Sequence, residues 1–339
     1  MAKKFGILPT GEEALLYTIS CGQMSASITN YGATLVNLWI PDRNGVLADV
    51  VLGYSDVNGY ARGGAYLGAI IGRNANRMKN ACFVLNNTTW SLPANYGKHN
   101  LHSGPDSFHK RLWQAEAVTD RSITFRLDSP HGDQGFPGNA VIRVSYTLEP
   151  PSSLKISYDI LSDRDTVFNM TNHSYFNLAG HDHPELAMDQ ILMLPSRTFT
   201  PSDWFNIPKG TVKSVAGTPL DFRTPKPLKQ DIRRLLMGYD HNYEVFCAPC
   251  AVLSDPHSGR TMSVTTDRPG VQLYTANGTY ETGKDGVIYG KRSGVCLETQ
   301  FYPDAVHHPQ WPQPFIKANT PSHSETVYQF HSHFPAEHA

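Results

Sequence analysis

Apolar and polar residues alternate along much of this 339-residue chain, with the period of a β-strand that buries one face. In residues 122–128 (SITFRLD), isoleucine, phenylalanine and leucine alternate with polar residues. The same alternation runs through 141–149 and 154–160, and the EPPSS between them is typical of a turn, which predicts a β-hairpin. Further strands are predicted at 25–40, 190–194, 260–266, 270–276 and 325–330.

Helical periodicity is scarce. The best candidate is 228–238 (LKQDIRRLLMG), where Leu228, Ile232 and two further leucines share a face and Gly238 can end the helix. With so few helices available, the apolar strand faces must be covered by another sheet. No linker, charge run or repeat divides the chain. The pattern predicts an all-β protein, one large single-domain antiparallel β-sandwich over residues 1–339 with few short helices.

Composition narrows the classes of function. The formal net charge is −1 and no basic block is present, so a nucleic-acid partner is not expected. No run of 18 apolar residues predicts a membrane span, and the first residues lack the apolar core of a secretory signal. The five cysteines are scattered and odd in number, which favours reduced thiols and a cytoplasmic location.

Three local motifs suggest a nucleotide site, a zinc or redox site, or a histidine metal site, but each lacks residues or surroundings that its function would require. The segment from Gly278 to Asp285 nearly matches a phosphate-binding loop, but Asp285 replaces the hydroxyl that would hold magnesium. The Cys247/Cys250 spacing has no second pair to complete a zinc site. Paired histidines lack partners at matching spacing and are interpreted as solvated, so no metal site is predicted; they are His181, His183, His307, His308, His331 and His333.

What remains is a set of polar side chains in strand-like or glycine-bounded settings. Each has an ordinary structural explanation: Glu298 could sit on a solvated strand face, and His173 could be a structural histidine. Cys296, however, shares a strand face with Glu298 and is of a type that is usually buried, so Glu298 should line a cavity or have a partner. The set is Asn76, Arg77, His102, His173, Tyr175, Asp240, Gln272 and Glu298.

Taken together, these residues lie in motifs that resemble the aldose 1-epimerase, or galactose mutarotase, family over nearly the whole chain. The resemblance implies the galactose mutarotase-like supersandwich fold and interconversion of the α and β anomers of free hexoses such as galactose and glucose. The motifs, in order, are NYGATLVNLWIPDRNG, GAIIGRNANRM, NLHSGPDSFHKRLWQ, DQGFPGN, NMTNHSYFNLAG, SVAGTPLDFR, GYDHNY and CLETQFYPDAVHHPQWP.

The resemblance also implies roles. Ring opening removes the proton from the C1 hydroxyl and protonates the ring oxygen, which requires one base and one acid and no redox cofactor, metal or nucleotide. Glu298 is the implied base and His173 the implied acid, with reversed roles on ring closure. Both groups must give and take a proton near neutral pH. At their ordinary pKa values they could do so only if nearby groups held the histidine partly protonated.

The other residues are implied to bind the sugar. His102 is expected near the ring oxygen, while Asn76, Arg77, Asp240 and Gln272 are expected to contact hydroxyl groups. Tyr175 is expected to shape the pocket. Arg73, the first arginine of GAIIGRNANRM, is interpreted as structural.

Three alternatives stay open from the sequence. An epimerase of a phosphorylated hexose would gather extra arginines or lysines at its site. A glycoside hydrolase would use Glu298 and Asp240 as its paired carboxylates but leaves two histidines unexplained. A non-catalytic sugar-binding protein could lose the acid or the base. The preferred sugar and the choice between monomer and homodimer are not determined by the pattern.

Overall fold

The computed structural model describes residues 2–332, and antiparallel strands dominate it. In chain order the strands are β1 Ala2–Ile7, β2 Glu13–Cys21, β3 Met24–Thr29, β4 Thr34–Pro41, β5 Leu47–Asp49, β6 Ile70–Ile71, β7 Arg77–Met78, β8 Cys82–Leu85, β9 Thr88–Ser91, β10 Asn100–Leu101, β11 Gln114–Val118, β12 Ser122–Ser129, β13 Ala140–Glu149, β14 Ser153–Ser162, β15 Thr166–Val167, β16 Thr171–Asn172, β17 Ile191–Met193, β18 Thr198–Phe199, β19 Lys213–Ser214, β20 Lys226–Pro227, β21 Asp240–Glu244, β22 Ala251–Ser254, β23 Thr261–Thr266, β24 Gly270–Tyr274, β25 Glu281–Thr282, β26 Ile288–Tyr289, β27 Cys296–Gln300, β28 Phe315–Ile316 and β29 Ser322–His331.

Helical structure is short. One α-helix, α1 (Val57–Arg62), begins at Asp56, whose side chain accepts a hydrogen bond from the backbone N–H of Gly59. Within the described part of the chain, no helix is long and apolar enough to cross a membrane. Short 3-10 turns lie at Lys79–Ala81, Phe108–Lys110, Asp133–Gly135, Pro184–Asp189, Leu228–Gln230, Ile232–Arg234, Lys284–Gly286 and Ala305–His307.

Three sheets build the sandwich. The largest has nine strands in the order β11-β12-β13-β14-β29-β23-β22-β17-β20. The other two are five-stranded, β1-β2-β3-β4-β5 and β19-β18-β21-β24-β27, and the remaining strands pair in five two-stranded sheets. One hydrophobic core cluster contains side chains of all three sheets, among them Ile28, Val144, Leu273 and Tyr328. The predicted β-sandwich with few short helices is therefore confirmed.

The predicted hairpin is present and sets the frame of the nine-stranded sheet. Strands β13 and β14 pair over their full lengths, from Ala140 opposite Ser162 to Glu149 opposite Ser153. Buried and half-buried residues alternate strictly along β13, as the apolar alternation predicted. The other predicted strands are found with ends shifted by a few residues, except that 25–40 is two strands.

The 25–40 segment divides because its middle forms a turn between β3 and β4. Gly32 (φ +69°) and Ala33 (φ +45°) both have positive φ values there. A Cβ atom at Gly32 would lie 2.6 Å from the carbonyl oxygen of His109, so the close approach requires glycine.

The prediction of a helix at 228–238 is wrong. The segment forms two single 3-10 turns that meet at Asp231, and Leu235 is already extended. The Asp231 carboxylate accepts hydrogen bonds from Lys226 Nζ (2.6 Å) and Arg234 Nη1 (3.1 Å), which favours the break. Leu236, which a helix would have buried, is 77% exposed.

Arg73 has the structural role expected for it. Its fully buried guanidinium donates hydrogen bonds to the carbonyl oxygens of Ser129, Pro130, Pro137 and Gly138, at 2.7 to 3.1 Å. The DQGFPGN motif thus supplies acceptors that hold one buried cation. Because these partners lie at the end of β12 and in the connection from β12 to β13, Arg73 fixes that connection against the loop that follows β6.

A second buried cation, Lys284, anchors the loop between β24 and β27. Its Nζ donates to the carboxylate of Asp49 and to the carbonyl oxygens of Val36 (2.9 Å) and Val51 (2.7 Å). Both members of the ion pair are buried. This loop carries residues that border the cavity described next, so the ion pair connects the cavity wall to the sheet of β1 to β5.

Candidate active site

The strand register brings several predicted residues to one face of a sheet. Gln272 of β24 lies opposite Glu298 of β27 on one side and opposite Asn242 of β21 on the other. Asp240, Tyr274 and Cys296 form the neighbouring row, two residues along each strand. Because side chains two residues apart share a face, both rows point the same way.

Glu298 is a buried carboxyl group with free hydrogen-bonding capacity. It is 2% exposed, its Oε1 lies 3.7 Å from His173 Nε2, and its Oε2 has no hydrogen-bond partner. Burial, with a smaller contribution from the negative charge of Asp240, raises the pKa of Glu298 to about 8. Such a group can both take and give a proton near neutral pH.

His173 follows β16 and is held by aromatic rings on both sides. Its imidazole stacks on Tyr175 (ring centroids 5.1 Å apart) and on Tyr66 (5.8 Å). Its backbone N–H donates to the carbonyl oxygen of Ala69, next to β6. Burial lowers the pKa of His173 to about 4, so its neighbours do not hold it partly protonated as expected.

The second nitrogen of this imidazole faces a thiol. Cys296 Sγ lies 3.6 Å from His173 Nδ1, and Cys296 is completely buried. Burial raises the pKa of the Cys296 thiol well above its usual value. The imidazole therefore contacts a sulfur on one side and a carboxyl group on the other.

His102 lies beside this pair with a defined tautomer. Its ring is 5.5 Å from that of His173, and its Nδ1 accepts a hydrogen bond from the backbone N–H of Asn76 (3.1 Å). Burial lowers the pKa of His102 well below its usual value, so the ring is neutral. Because Nδ1 is an acceptor, the ring hydrogen is on Nε2, which leaves one N–H to donate.

Arg77 and Asp240 face each other across the site. Arg77 Nη2 lies 3.6 Å from Asp240 Oδ2, and the guanidinium stacks on the ring of Tyr96. Asp240 also accepts hydrogen bonds from Asn206 Nδ2 (2.8 Å) and Gln272 Nε2 (2.6 Å). The pair offers both donors and acceptors, the combination that sugar hydroxyl groups require.

These groups border one cavity of about 490 Å³, a size typical of small-molecule sites. Of the eight predicted site residues, six lie on its wall: Arg77, His102, His173, Tyr175, Asp240 and Glu298. Asn76 and Gln272 instead border a small adjoining cavity behind Arg77 and Asp240. The hydroxyl group of Tyr175 is already bound to the carbonyl oxygen of Ala65 (2.8 Å), so this residue contributes its ring.

The structure also places residues here that the sequence analysis missed. Tyr66 has a positive φ (+57°), which is unusual for a non-glycine residue, and its ring contacts His102 and His173. Asn206 reaches the site from a long connection between β18 and β19. The glycines that flank Tyr66 in RGGAYLGA are a weak signal of its turn, and Asn206 carries no local signal.

The other motifs have structural explanations. Lys284 of the apparent phosphate loop is bound to Asp49, and Cys247 and Cys250 are free thiols. The interpretation of the paired histidines as solvated is wrong for His181, which is buried against the hydroxyl group of Tyr289 (2.9 Å). It is also wrong for His307 and His308, whose rings are half-buried. His333 lies outside the described residues.

The motif around His307 and His308 supports the site from behind. Both imidazoles face the buried carboxylate of Asp304. Asp304 in turn accepts a hydrogen bond from the backbone N–H of Lys79 (2.8 Å) and donates its own N–H to the carbonyl oxygen of Arg77 (3.1 Å). This connection fixes the backbone that carries Arg77.

The large antiparallel sandwich holds a buried carboxyl–imidazole pair in a polar, aromatic cavity, an arrangement suited to proton transfer on a small polar substrate. Comparison with known proteins gives its family. The Aldose 1-epimerase family profile matches residues 15–329. The chain is 37% identical to galactose mutarotase of Mus musculus, over 96% of this chain and 97% of that protein, and 39% identical to aldose 1-epimerase of Haemophilus influenzae, over 85% and 86%.

Solved structures agree. The chain resembles the aldose epimerase homologue from C. elegans with a TM-score of 0.89 and 29% identity, over 94% of this chain and 99% of the other. Galactose 1-epimerase from Lactobacillus acidophilus has the same fold, with a TM-score of 0.85 at 24% identity, over 98% and 99% of the two chains. The chain belongs to the aldose 1-epimerase family, and it is an isomerase that acts on aldoses.

Proposed function

We propose that this enzyme interconverts the α and β anomers of free hexoses such as galactose and glucose, with Glu298 and His173 as the proton-transfer pair. The observation that supports this most directly is the 3.7 Å separation of the two groups on the wall of the cavity. The C1 hydroxyl oxygen and the ring oxygen are both bonded to C1. An acid and a base that serve them must therefore lie close together.

In the proposed reaction, the Glu298 carboxylate takes the proton of the C1 hydroxyl group while the bond from C1 to the ring oxygen breaks. His173 Nε2, protonated at this stage, donates its proton to the ring oxygen. Rotation about the C1–C2 bond turns the other face of the aldehyde towards that oxygen. On ring closure Glu298 gives its proton to the aldehyde oxygen, and His173 takes a proton from the hydroxyl group that becomes the ring oxygen. The enzyme therefore ends in the protonation state in which it began.

The pair must therefore hold one proton in total. Burial favours this proton on Glu298, with His173 neutral, which is also the arrangement reached when the ring is open. The ion pair needed to open the ring is favoured by Arg77, whose positive charge lowers the pKa of Glu298. We infer that the buried site stabilises the open-chain stage relative to the same groups in water.

The remaining residues bind and orient the sugar in this proposal. His102 donates its Nε2–H near the ring oxygen, and Arg77 and Asp240 contact hydroxyl groups. Asn76 and Gln272 act through their neighbours: Asn76 binds His102 and Arg77, and Gln272 binds Asp240. Tyr66 and Tyr175 hold the imidazole of His173 between their rings.

The three alternatives are less well supported. Arg77 is the only lysine or arginine among the described residues that line the cavity, which argues against a phosphorylated substrate. Both the acid and the base are present, which argues against a protein that only binds sugar. A hydrolase pair of Glu298 and Asp240 would leave the contact between Glu298 and His173 without a function.

The test of this proposal is polarimetry of freshly dissolved α-D-galactose and α-D-glucose. The wild type should accelerate the approach to anomeric equilibrium, and Glu298→Ala and His173→Ala should not. The ratio of the two wild-type rates gives the sugar preference. A wild-type rate equal to the spontaneous rate on both sugars would reject the proposed substrates.

The pH dependence of kcat/KM should be bell-shaped. Above about pH 8 the pair loses its only proton, so no acid is left. Below about pH 4 the pair gains a second proton, so no base is left. Rates measured across this range, with the spontaneous rate subtracted at each pH, should show one limb at each end. A profile that stays level through pH 9 would contradict the role of Glu298.

Replacing Gln272 by methionine should weaken sugar binding. The change removes the 2.6 Å hydrogen bond that orients Asp240 and leaves one of its oxygens without that donor. We expect KM to rise about tenfold while kcat changes little, because loss of a hydrogen bond to a charged, half-buried acceptor costs about 1.5–3 kcal/mol. Gln190→Met removes buried hydrogen bonds that lie away from the cavity and should leave KM unchanged. A fall in kcat at constant KM would indicate that Gln272 acts on the chemistry.

We also propose that the chain forms a single cytoplasmic domain, as a monomer or a homodimer. The main core cluster contains residues from Tyr17 to Phe330, which supports one folding unit. The five cysteines are free thiols, which supports a reducing compartment. Calorimetry should show a single unfolding transition, and sedimentation equilibrium distinguishes the two oligomeric states.

A further inference from the structure

The proposed acid–base pair is part of a three-donor cluster that the reaction does not require. His173, Cys296 and Glu298 each offer one donor atom, and these nitrogen, sulfur and oxygen atoms all lie within 4.8 Å of one another. All three residues are buried. Nothing in the proposed proton transfer uses the thiol of Cys296.

We propose that His173, Cys296 and Glu298 form an inhibitory site for a thiophilic divalent cation, with Zn²⁺ as the best fit. Zinc binds imidazole nitrogen, thiolate sulfur and carboxylate oxygen in tetrahedral geometry, with bonds of about 2.0–2.3 Å. Donor atoms in such a site are roughly 3.3–3.8 Å apart. The separations of 3.6 Å from sulfur to imidazole and 3.7 Å from imidazole to carboxylate fall in this range.

These two separations involve different nitrogens of the ring, and a single ion binds only one of them. Since the three donor atoms stay within 4.8 Å, a small side-chain rotation is enough to bring them around one ion. The cavity side supplies the fourth position, where water can bind.

Two further features favour a cation. Glu298 Oε2 is buried without a hydrogen-bond partner, so this oxygen is available to bind a cation. Asp240 adds negative charge close to both Glu298 and Cys296, while Arg77 opposes it on one side. Binding replaces the protons on the Cys296 thiol and the Glu298 carboxyl group by the ion, and these protons pass to the solvent.

The consequence for activity rests on the proposed function. An ion held by these residues occupies both the acid and the base, so sugar and ion should exclude each other. Zn²⁺ should then inhibit competitively with the hexose, and a chelator should restore the activity.

The experiment has a binding arm and a kinetic arm. Co²⁺, a spectroscopic substitute for Zn²⁺, is titrated into the wild type, Cys296→Ser and Cys247→Ser, and the thiolate-to-cobalt absorption band is recorded. Zn²⁺ inhibition is measured by polarimetry relative to the uninhibited rate of each variant. Cys247 is exposed and serves as the matched control thiol.

We expect the cobalt band in the wild type and Cys247→Ser but not in Cys296→Ser, and loss of the band when galactose is added. Loss of a ligand should raise the half-inhibitory Zn²⁺ concentration at least about 10- to 100-fold in Cys296→Ser. Absence of the band from the wild type would overturn the proposed site, even if Cys296→Ser failed to fold. A band without inhibition would instead leave the metal site standing and contradict the catalytic roles of Glu298 and His173.

Discussion

Glu298→Gln should lower kcat by about 10²- to 10⁴-fold, the range expected for loss of a general base. Glutamine has nearly the same shape but cannot accept the proton of the C1 hydroxyl group, so KM should change much less. Polarimetric initial rates at several galactose concentrations give both constants. The matched control is Glu281→Gln at the same cavity, which removes a carboxylate that takes no part in the proposed proton transfer and should change kcat only a few-fold.

The same variant should be more stable than the wild type at alkaline pH. The pKa of Glu298 is raised in the folded protein from 4.5 to about 8, so the folded state binds the proton more tightly than the unfolded state. As pH rises through this window, the wild type loses stability that the uncharged glutamine does not lose. Thermal melts at pH 5 and pH 8 should show a growing advantage for Glu298→Gln. A variant that is both inactive and less stable at pH 8 would indicate misfolding rather than loss of a base.

Lys284→Met should destabilise the fold by about 3–5 kcal/mol, since it leaves the Asp49 carboxylate buried without its cation. Two backbone carbonyl groups lose their donor as well. Urea unfolding followed by tryptophan fluorescence measures the change in the free energy of unfolding. Lys291→Met, a change of the same kind at an exposed lysine in the same connection, should leave it nearly unchanged.

A double variant separates charge from packing. In Asp49→Asn with Lys284→Met no unpaired charge remains, so part of the lost stability should return. If the double variant is as unstable as Lys284→Met alone, the loss is due to packing and not to the unpaired carboxylate.

The sequence predicts the strands well because burial of one face of a strand requires apolar residues at every second position. Each residue of β13 that alternation assigned to the interior is buried. The helix at 228–238 failed because periodicity does not register the ion pairs of Asp231, which hold the backbone out of a continuous helix. The turn within 25–40 depended on the approach of His109, a residue far along the chain.

The site is harder to predict from single residues. Glu298 and His173 each had an ordinary structural explanation, and only the ordered motifs selected them. The position of Glu298 on the same strand face as Cys296 did predict that Glu298 is buried. The layer of Asn76 and Gln272 behind Arg77 and Asp240 depends on strand register and loop position, which no local pattern encodes.

The distance along the chain between the paired groups has a consequence for the order of assembly. His173 is 123 residues from Cys296, which lies on the same strand as Glu298. Their elements meet through reciprocal hydrogen bonds between Phe176 and Val295. The β13–β14 hairpin closes over a few residues and can form early, whereas this meeting requires a long loop to close. During refolding, secondary structure should therefore return before catalysis, and a newly made chain should become active only after β27 has joined the sheet β19-β18-β21-β24-β27.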